Sequence, residues 1–195
     1  MTKDANIELW FPTPIYFKDN ILTKNEINQL EQEVIKTKNN YESNHGQWFC
    51  NVYTSYEKQN IVTVTEYDII KNKVTDCVNE FVQVYGSAHK YECNNGWINI
   101  YSKYNFQEFH YHHGHTFSAV YFLKAPEGSG SLIFNNPNEP DMLPIKNISI
   151  KNNMNYAFCE YQAVENRLII FRASLQHMVK QGTNKTDRIT LSFNF

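Results

Sequence analysis

The chain contains no Cys-x-x-Cys pair: Cys50, Cys77, Cys93 and Cys159 stand far apart. That scatter argues against a zinc ribbon or a dithiol redox site. It also lacks any run of five Lys/Arg, and its formal charge of -2 and pI near 6.4 exert no broad pull on nucleic acid or anionic membrane. Nucleic acid is therefore not an expected partner. The longest apolar stretch, Phe117 to Leu123, falls far short of the ~20 residues a membrane helix needs. The first residues are polar with no apolar h-region, so the expected setting is a cytoplasm, of a bacterium or an infected host, with reduced thiols. No internal repeat or low-complexity tract is visible.

What is abundant is aromatic. Thirteen Tyr and thirteen Phe in 195 residues favour pleated, half-buried surfaces and hence a β-rich fold. The length fits a single domain, 1–195, with 1–88 as a strand plus helical support and 89–195 as the β core. Ile7 to Phe17 carries two prolines and suits an edge strand. Thr23-Lys-Asn-Glu26 is a capping box, followed by Ile27, Leu30 and Val34 on one face, which predicts a helix over 24–38. A second box, Thr63-Val-Thr-Glu66, predicts the longest helix, with Tyr67, Ile70, Val74, Cys77/Val78, Phe81 and Tyr85 as its stripe and Gly86 as its stop. Residues 40–60 read as an irregular loop.

Beyond Gly86 the period falls to two. Strands are predicted at 90–104, 117–124, 131–135, 145–150, 156–161, 167–172, 176–180 and 188–195, separated by Gly, Pro and Asn clusters. Helices followed by about eight short strands predict a mostly β fold, a jelly roll (double-stranded β-helix) backed by two or more α-helices.

Five of the seven histidines lie at 110, 112, 113, 115 and 177. On a strand, His110 and His112 share a face and can offer lone pairs to one cation. His177, after an apolar strand and a turn at Ala173-Ser174, can add a third imidazole and leave coordination positions open. His113 and His115 form a competing pair on the opposite face, and periodicity does not choose between the two. Glu108 shares the parity of His110 and is a reserve ligand. In 188–195, Arg188, Thr190, Ser192 and Asn194 share one face. A guanidinium turned inward there requires an anion, since a buried unpaired cation is costly. A protein carboxylate or a ligand could supply it.

Several blocks, in order, resemble the 2-oxoglutarate/Fe(II)-dependent oxygenases, in particular a branch of small prolyl-hydroxylase-like proteins of bacteria, cyanobacteria and their phages. They are Leu9-Trp-Phe-Pro-Thr-Pro-Ile-Tyr16, Trp97-Ile-Asn-Ile100, His110-Tyr-His112, Ser118-Ala-Val-Tyr-Phe-Leu123, Gly128-Ser-Gly-Ser-Leu-Ile-Phe134, Leu168-Ile-Ile-Phe171, His177-Met-Val179 and Arg188-Ile-Thr-Leu-Ser-Phe-Asn194. The resemblance chooses the register: the branch's HxH stands six residues before a serine, here Ser118, which selects His110 and His112 with His177 as the metal ligands. His113, His115 and Gln107 then become substrate-facing candidates. It further implies that Arg188 and Thr190 hold the distal carboxylate of 2-oxoglutarate, a role suited to the planar guanidinium fork.

The chain departs from the family in three places. His112 stands where the wider superfamily has Asp, leaving more positive charge at the metal. Phe122 replaces a tyrosine that assists the cosubstrate, so Tyr121, Tyr101 or Asn99 is expected to substitute. Ala119 replaces a glycine. The implied reaction uses Fe(II) and dioxygen to oxidise 2-oxoglutarate to succinate and CO2 while hydroxylating a C–H bond of a peptidyl residue or small metabolite. Two alternatives are a cupin-like three-histidine dioxygenase and a catalytically silent metal-binding module. A homodimer is a further expectation. Trp48, Phe49, Tyr53 and Tyr56 in the 40–60 segment read as core before substrate platform.

Overall fold

The computed structural model describes residues 6–44, 48–138 and 145–195. Helix α1, Lys24–Asn40, begins at Thr23 because both halves of the capping box form: the Glu26 amide donates to the Thr23 hydroxyl and the Thr23 amide to the Glu26 carboxylate. Leu30 and Val34 are its buried stripe. The second box does not cap a helix. Asn60 intervenes, its side-chain oxygen taking the Val62 and Gly96 amides, and the Thr63 hydroxyl donates back to the Asn60 carbonyl. Residues 61–63 and 65–67 tighten into 3-10 turns, and α2 runs only over Asp68–Phe81. At 14 residues it is shorter than the 17 of α1. Ile70, Val74, Cys77, Val78 and Phe81 of the expected stripe are buried on α2 and Tyr67 is buried in the turn before it, whereas Tyr85 lies in the following 3-10 turn and is exposed; that turn stops at Gly86 in the left-handed region.

The strands are β1 Tyr16–Asp19, β2 Tyr53–Thr54, β3 Asn95–Tyr101, β4 Gln107–His110, β5 Phe117–Lys124, β6 Leu132–Asn135, β7 Phe158–Tyr161, β8 Arg167–Arg172, β9 His177–Val179 and β10 Arg188–Asn194. They form two antiparallel sheets, ordered β1-β8-β5-β10-β3-β2 and β4-β9-β6-β7. Three expectations fail locally. The proline-bearing segment becomes strand only at Tyr16, at the sheet edge. Residues 145–150 form no strand, and Ile145 and Ile150 are exposed. The 40–60 loop contains β2, paired to β3.

Two apolar layers follow from strand alternation. Ile98, Ile100, Phe117, Ala119, Tyr121, Leu168, Ile170, Leu191 and Phe193 face the helices. Val120, Phe122, Ile169 and Phe171 face the other way, against Leu132, Phe134 and Val179 of the smaller sheet. Within the smaller sheet, the turn before β6 lies against the end of β9. A Cβ on Gly130 would sit 1.8 Å from the Lys180 carbonyl, so only glycine admits the β9–β10 connection there.

Candidate active site

Between the sheets lies a cavity of about 630 Å³, and its walls come from the polar faces of β3 and β10 and from β4 and β9. His110 is the last residue of β4 and lies opposite His177, the first of β9. The β4–β9 register slips between Gln107 and His110. This irregularity re-aims the strand, so Gln107 and His110, of opposite parity, both line the cavity. His112 lies beyond β4, and its placement rests on its own amide, which donates to the Ala173 carbonyl at 2.9 Å. The shared face of His110 and His112 is thus a product of loop anchoring, not of one continuous strand.

Among the described residues, His110, His112 and His177 form the group able to hold a metal, with one ring nitrogen from each lying within 4.8 Å of the others. Their outer nitrogens are all engaged. His110 Nδ1 contacts the Glu108 carbonyl at 2.7 Å and His177 Nδ1 the Leu175 carbonyl at 2.9 Å. His112 Nδ1 contacts Asn194 Oδ1 at 2.7 Å, and the Ser118 hydroxyl, which donates to the same Asn194 oxygen at 2.8 Å, lies 2.9 Å away. A carbonyl oxygen only accepts, so each Nδ1 carries the proton and each Nε2 presents a lone pair. Burial lowers the pKa of all three, that of His112 to about 4, and His177, 2% exposed, falls well below the ordinary value. Burial thus favours the neutral, ligating form.

Arg188 is 1% exposed, and its Nε, Nη1 and Nη2 have no hydrogen-bond partner. No carboxylate pairs with it among the described residues, so the structural salt bridge is absent. Its guanidinium carbon lies 4.4 Å from the Tyr101 ring centre and 5.1 Å from that of Phe122. Burial pushes its pKa down. Thr190, Asn99 and Ser192 continue the wall, with the Asn99 amide donating to Ser192 while Asn99 Oδ1 is buried and unpartnered. A buried fork of five N–H donors, without a hydrogen-bond partner among the described residues, thus faces this cavity.

Other candidates are placed differently. Tyr121 is not at the cavity. It pairs with Leu191, points into the helix-side layer and donates its hydroxyl to Asn166. Since Phe122 faces the apolar layer between the sheets, its neighbour on the strand must face away. The Glu108 carboxylate does not join the histidines; one oxygen accepts the Phe49 amide at 2.8 Å. Tyr101 lines the cavity and donates to Gln107. His113 and His115 border the cavity outside the triad. Trp48, Phe49 and Tyr56, read as core, are cavity walls, with Trp48 edge-on to His110 at 4.8 Å and Phe49 93% exposed. Only Tyr53 of that group packs on the core. Sequence reasoning passed over Ser118 and Asn194 as partners of His112; their parity on neighbouring strands, paired Asn194↔Ser118, was the available signal.

A mostly β scaffold that holds three imidazoles and an orphaned guanidinium in one cavity defines a metal-binding protein built for a small anionic cosubstrate. The chain belongs to the family described as "Putative 2OG-Fe(II) oxygenase", whose model matches residues 95–194. It is accordingly an oxygenase that depends on Fe(II) and 2-oxoglutarate. No curated protein matches its sequence. Among solved structures it is similar to the viral collagen prolyl hydroxylase of Paramecium Bursaria Chlorella virus-1, in a 2-oxoglutarate complex (15% identity, 92% of this chain and 94% of that one, TM-score 0.61). It is also similar to a Pseudomonas putida prolyl-4-hydroxylase (11% identity, 93% and 92%, TM-score 0.60). A third is HygX of Streptomyces hygroscopicus with nickel, 2-oxoglutarate and hygromycin B bound (9% identity, 93% and 82%, TM-score 0.65). At these identities the likeness is one of fold. No helix among the described residues is long and apolar enough to cross a membrane.

Proposed function

We propose that this protein is a hydroxylase of jelly-roll architecture, with His110, His112 and His177 as the iron ligands and Arg188 as the anchor of the distal carboxylate of 2-oxoglutarate. One observation carries the reading: Arg188 is fully buried, unpartnered at all three nitrogens, and faces the same cavity as the three free Nε2 atoms. Desolvation of an unpaired guanidinium is expensive, and a bidentate carboxylate is the partner that offsets it. Bound Fe(II) with 2-oxoglutarate supplies oxidative decarboxylation coupled to substrate oxidation by dioxygen.

The residues of the chain do the rest. Thr190, next on the same face, offers its hydroxyl to the carboxylate held by Arg188. Phe122 and Tyr101 pack against the guanidinium, keep water out and fix its plane. Asn99 takes part of the role of the missing tyrosine: were its amide turned over from the orientation in which it donates to Ser192, its NH₂ would point into the cavity and its unpartnered oxygen would accept from Ser192. The Glu108 and Leu175 carbonyls and the Asn194 amide oxygen hold the imidazoles in the ligating tautomer. Substrates consistent with the reading are a peptidyl residue or a small metabolite.

Anaerobic addition of Fe(II) and 2-oxoglutarate should give a weak visible charge-transfer band that Arg188→Ala abolishes. Absence of the band, with no affinity for 2-oxoglutarate by calorimetry, would sink the cosubstrate claim. A three-histidine dioxygenase without 2-oxoglutarate would leave Arg188 with no role. A silent module would bind 2-oxoglutarate without forming succinate.

A further inference from the structure

We infer that the substrate presents an organic cation, an ammonium or guanidinium group, to the exposed end of this cavity, with Glu108 as its main anchor. The inference rests on the oxygenase reading above and deepens it.

The fixed charges of the cavity are sorted by depth. Arg188 is the only Lys or Arg among its described lining residues, and it lies at the buried end, where the cosubstrate carboxylate belongs. Towards solvent the fixed charges are Glu57 and Glu108, both negative. Glu108 is unusual because it is half-satisfied. Its Oε1 accepts the Phe49 amide, whereas Oε2 is shielded from solvent and has no hydrogen-bond partner among the described residues. A desolvated carboxylate oxygen without a donor is costly unless a ligand completes it. Glu57 is more exposed, sits in the left-handed backbone region at φ +61° and is steadied by the Asn44 side chain at 3.2 Å. Aromatic faces complete the wall: Trp48 beside His110, and Tyr56 edge-on to Trp97 at 5.0 Å. Rings and carboxylates together favour a cation over a neutral or anionic group.

Position ties this charge to the chemistry. The backbone carbonyl of Glu108 holds His110, so a cation on its carboxylate lies beside the metal ligands and directs the adjoining carbon chain towards them. The competing groups that could carry positive charge are His113 and His115, which also line the cavity. Burial keeps His115 towards its neutral form. Were they to dominate, the site would take an acidic substrate instead.

The test uses the whole protein loaded with Mn(II) and saturated with 2-oxoglutarate, and calorimetry reads binding of four probes and an acidic control. The probes are L-arginine, L-citrulline and the N-acetyl amide of each, and the control is N-acetyl-glutamate amide. Arginine forms should bind about tenfold or more tighter than the citrulline forms, the factor expected of one hydrogen bond to a buried charge. A preference for the amide identifies a peptidyl cation as the source and a preference for the free amino acid identifies a metabolite; either supports the inference. Glu108→Gln should erase the arginine–citrulline difference. Should that variant not fold, the wild-type comparison decides alone. Equal binding of citrulline, or tighter binding of the glutamate amide, overturns the inference while leaving 2-oxoglutarate uptake intact. A protein that takes up no 2-oxoglutarate overturns the oxygenase reading instead, and this one with it.

Discussion

The two faces of β10 are built from adjacent residues of one strand, yet they serve opposite ends. Ile189, Leu191 and Phe193 face the helices, where Leu191 and Phe193 are sealed in an apolar layer. Arg188, Thr190, Ser192 and Asn194 face the cavity, equally buried but polar. On the first face, burial itself stabilises the fold. On the second, burial removes water from groups that still want partners, so the strand carries binding capacity at some cost in stability. Period two lets one segment do both, because neighbouring side chains never share a surface.

Substitutions that treat the faces alike should have opposite consequences. The largest effect is expected for His177→Ala, on the cavity side. It removes one of three ligands and should weaken Mn(II) or Ni(II) binding by more than the ~10–100-fold that loss of an outer partner costs, as read by calorimetry. Next comes Phe193→Ala on the helix side. Its ring packs against Gly96, where even a Cβ would approach to 2.9 Å. Emptying that space should cost about 3–5 kcal/mol in urea unfolding with no direct effect on ligand binding. Arg188→Met reverses the pattern: unliganded stability should stay level or rise, while 2-oxoglutarate affinity falls by roughly 2–5 kcal/mol. A drop in unliganded stability comparable to that of Phe193→Ala would mean the guanidinium is structural, and the contrast between the faces would vanish.

A smaller effect tests the support of His112. Asn194→Leu removes the oxygen that both Ser118 and His112 use, and metal affinity should fall by ~10–100-fold with little change in 2-oxoglutarate contacts to Arg188. The smallest is a pH response. The folded pKa of His112 lies near 4 against 6.5 for the free side chain. Below pH 6.5 the unfolded chain therefore binds a proton that the folded chain refuses, and stability is lost as the pH falls towards 4. His110 and His177 are shifted in the same direction and add to it. Melting temperature of the metal-free protein should decline over that window. A flat profile would mean that the imidazoles are not held neutral by burial.

Much of the site was legible where regular alternation runs uninterrupted. The shared face of Arg188, Thr190, Ser192 and Asn194 on β10 could be read from spacing, as could the helix that starts at Thr23, whereas the partner of the guanidinium was implied only by the family resemblance. Legibility ended wherever geometry departs from a repeat. The slip between Gln107 and His110 puts residues of opposite parity on one wall, where the Glu108 carboxylate also lines the cavity without joining the three imidazoles. Thr63 resembled a cap but lost the turn to Asn60, whose contact with Gly96 lies far along the chain. Tyr121 was offered to the cosubstrate although the inward orientation of Phe122 forbids it. The aromatics of 48–56 could not be divided into wall and core, because nothing local says which side the cavity lies on.

By itself the order of residues determined which elements form and which side chains travel together, since capping, periodicity and turn chemistry act over a few positions. Tertiary structure alone decided which three imidazoles converge and that, among the described residues, Arg188 finds no carboxylate and Glu108 keeps one oxygen unpaired. Those outcomes depend on the register between strands distant in sequence, and register is set by the packing of whole sheets, not by any one of them.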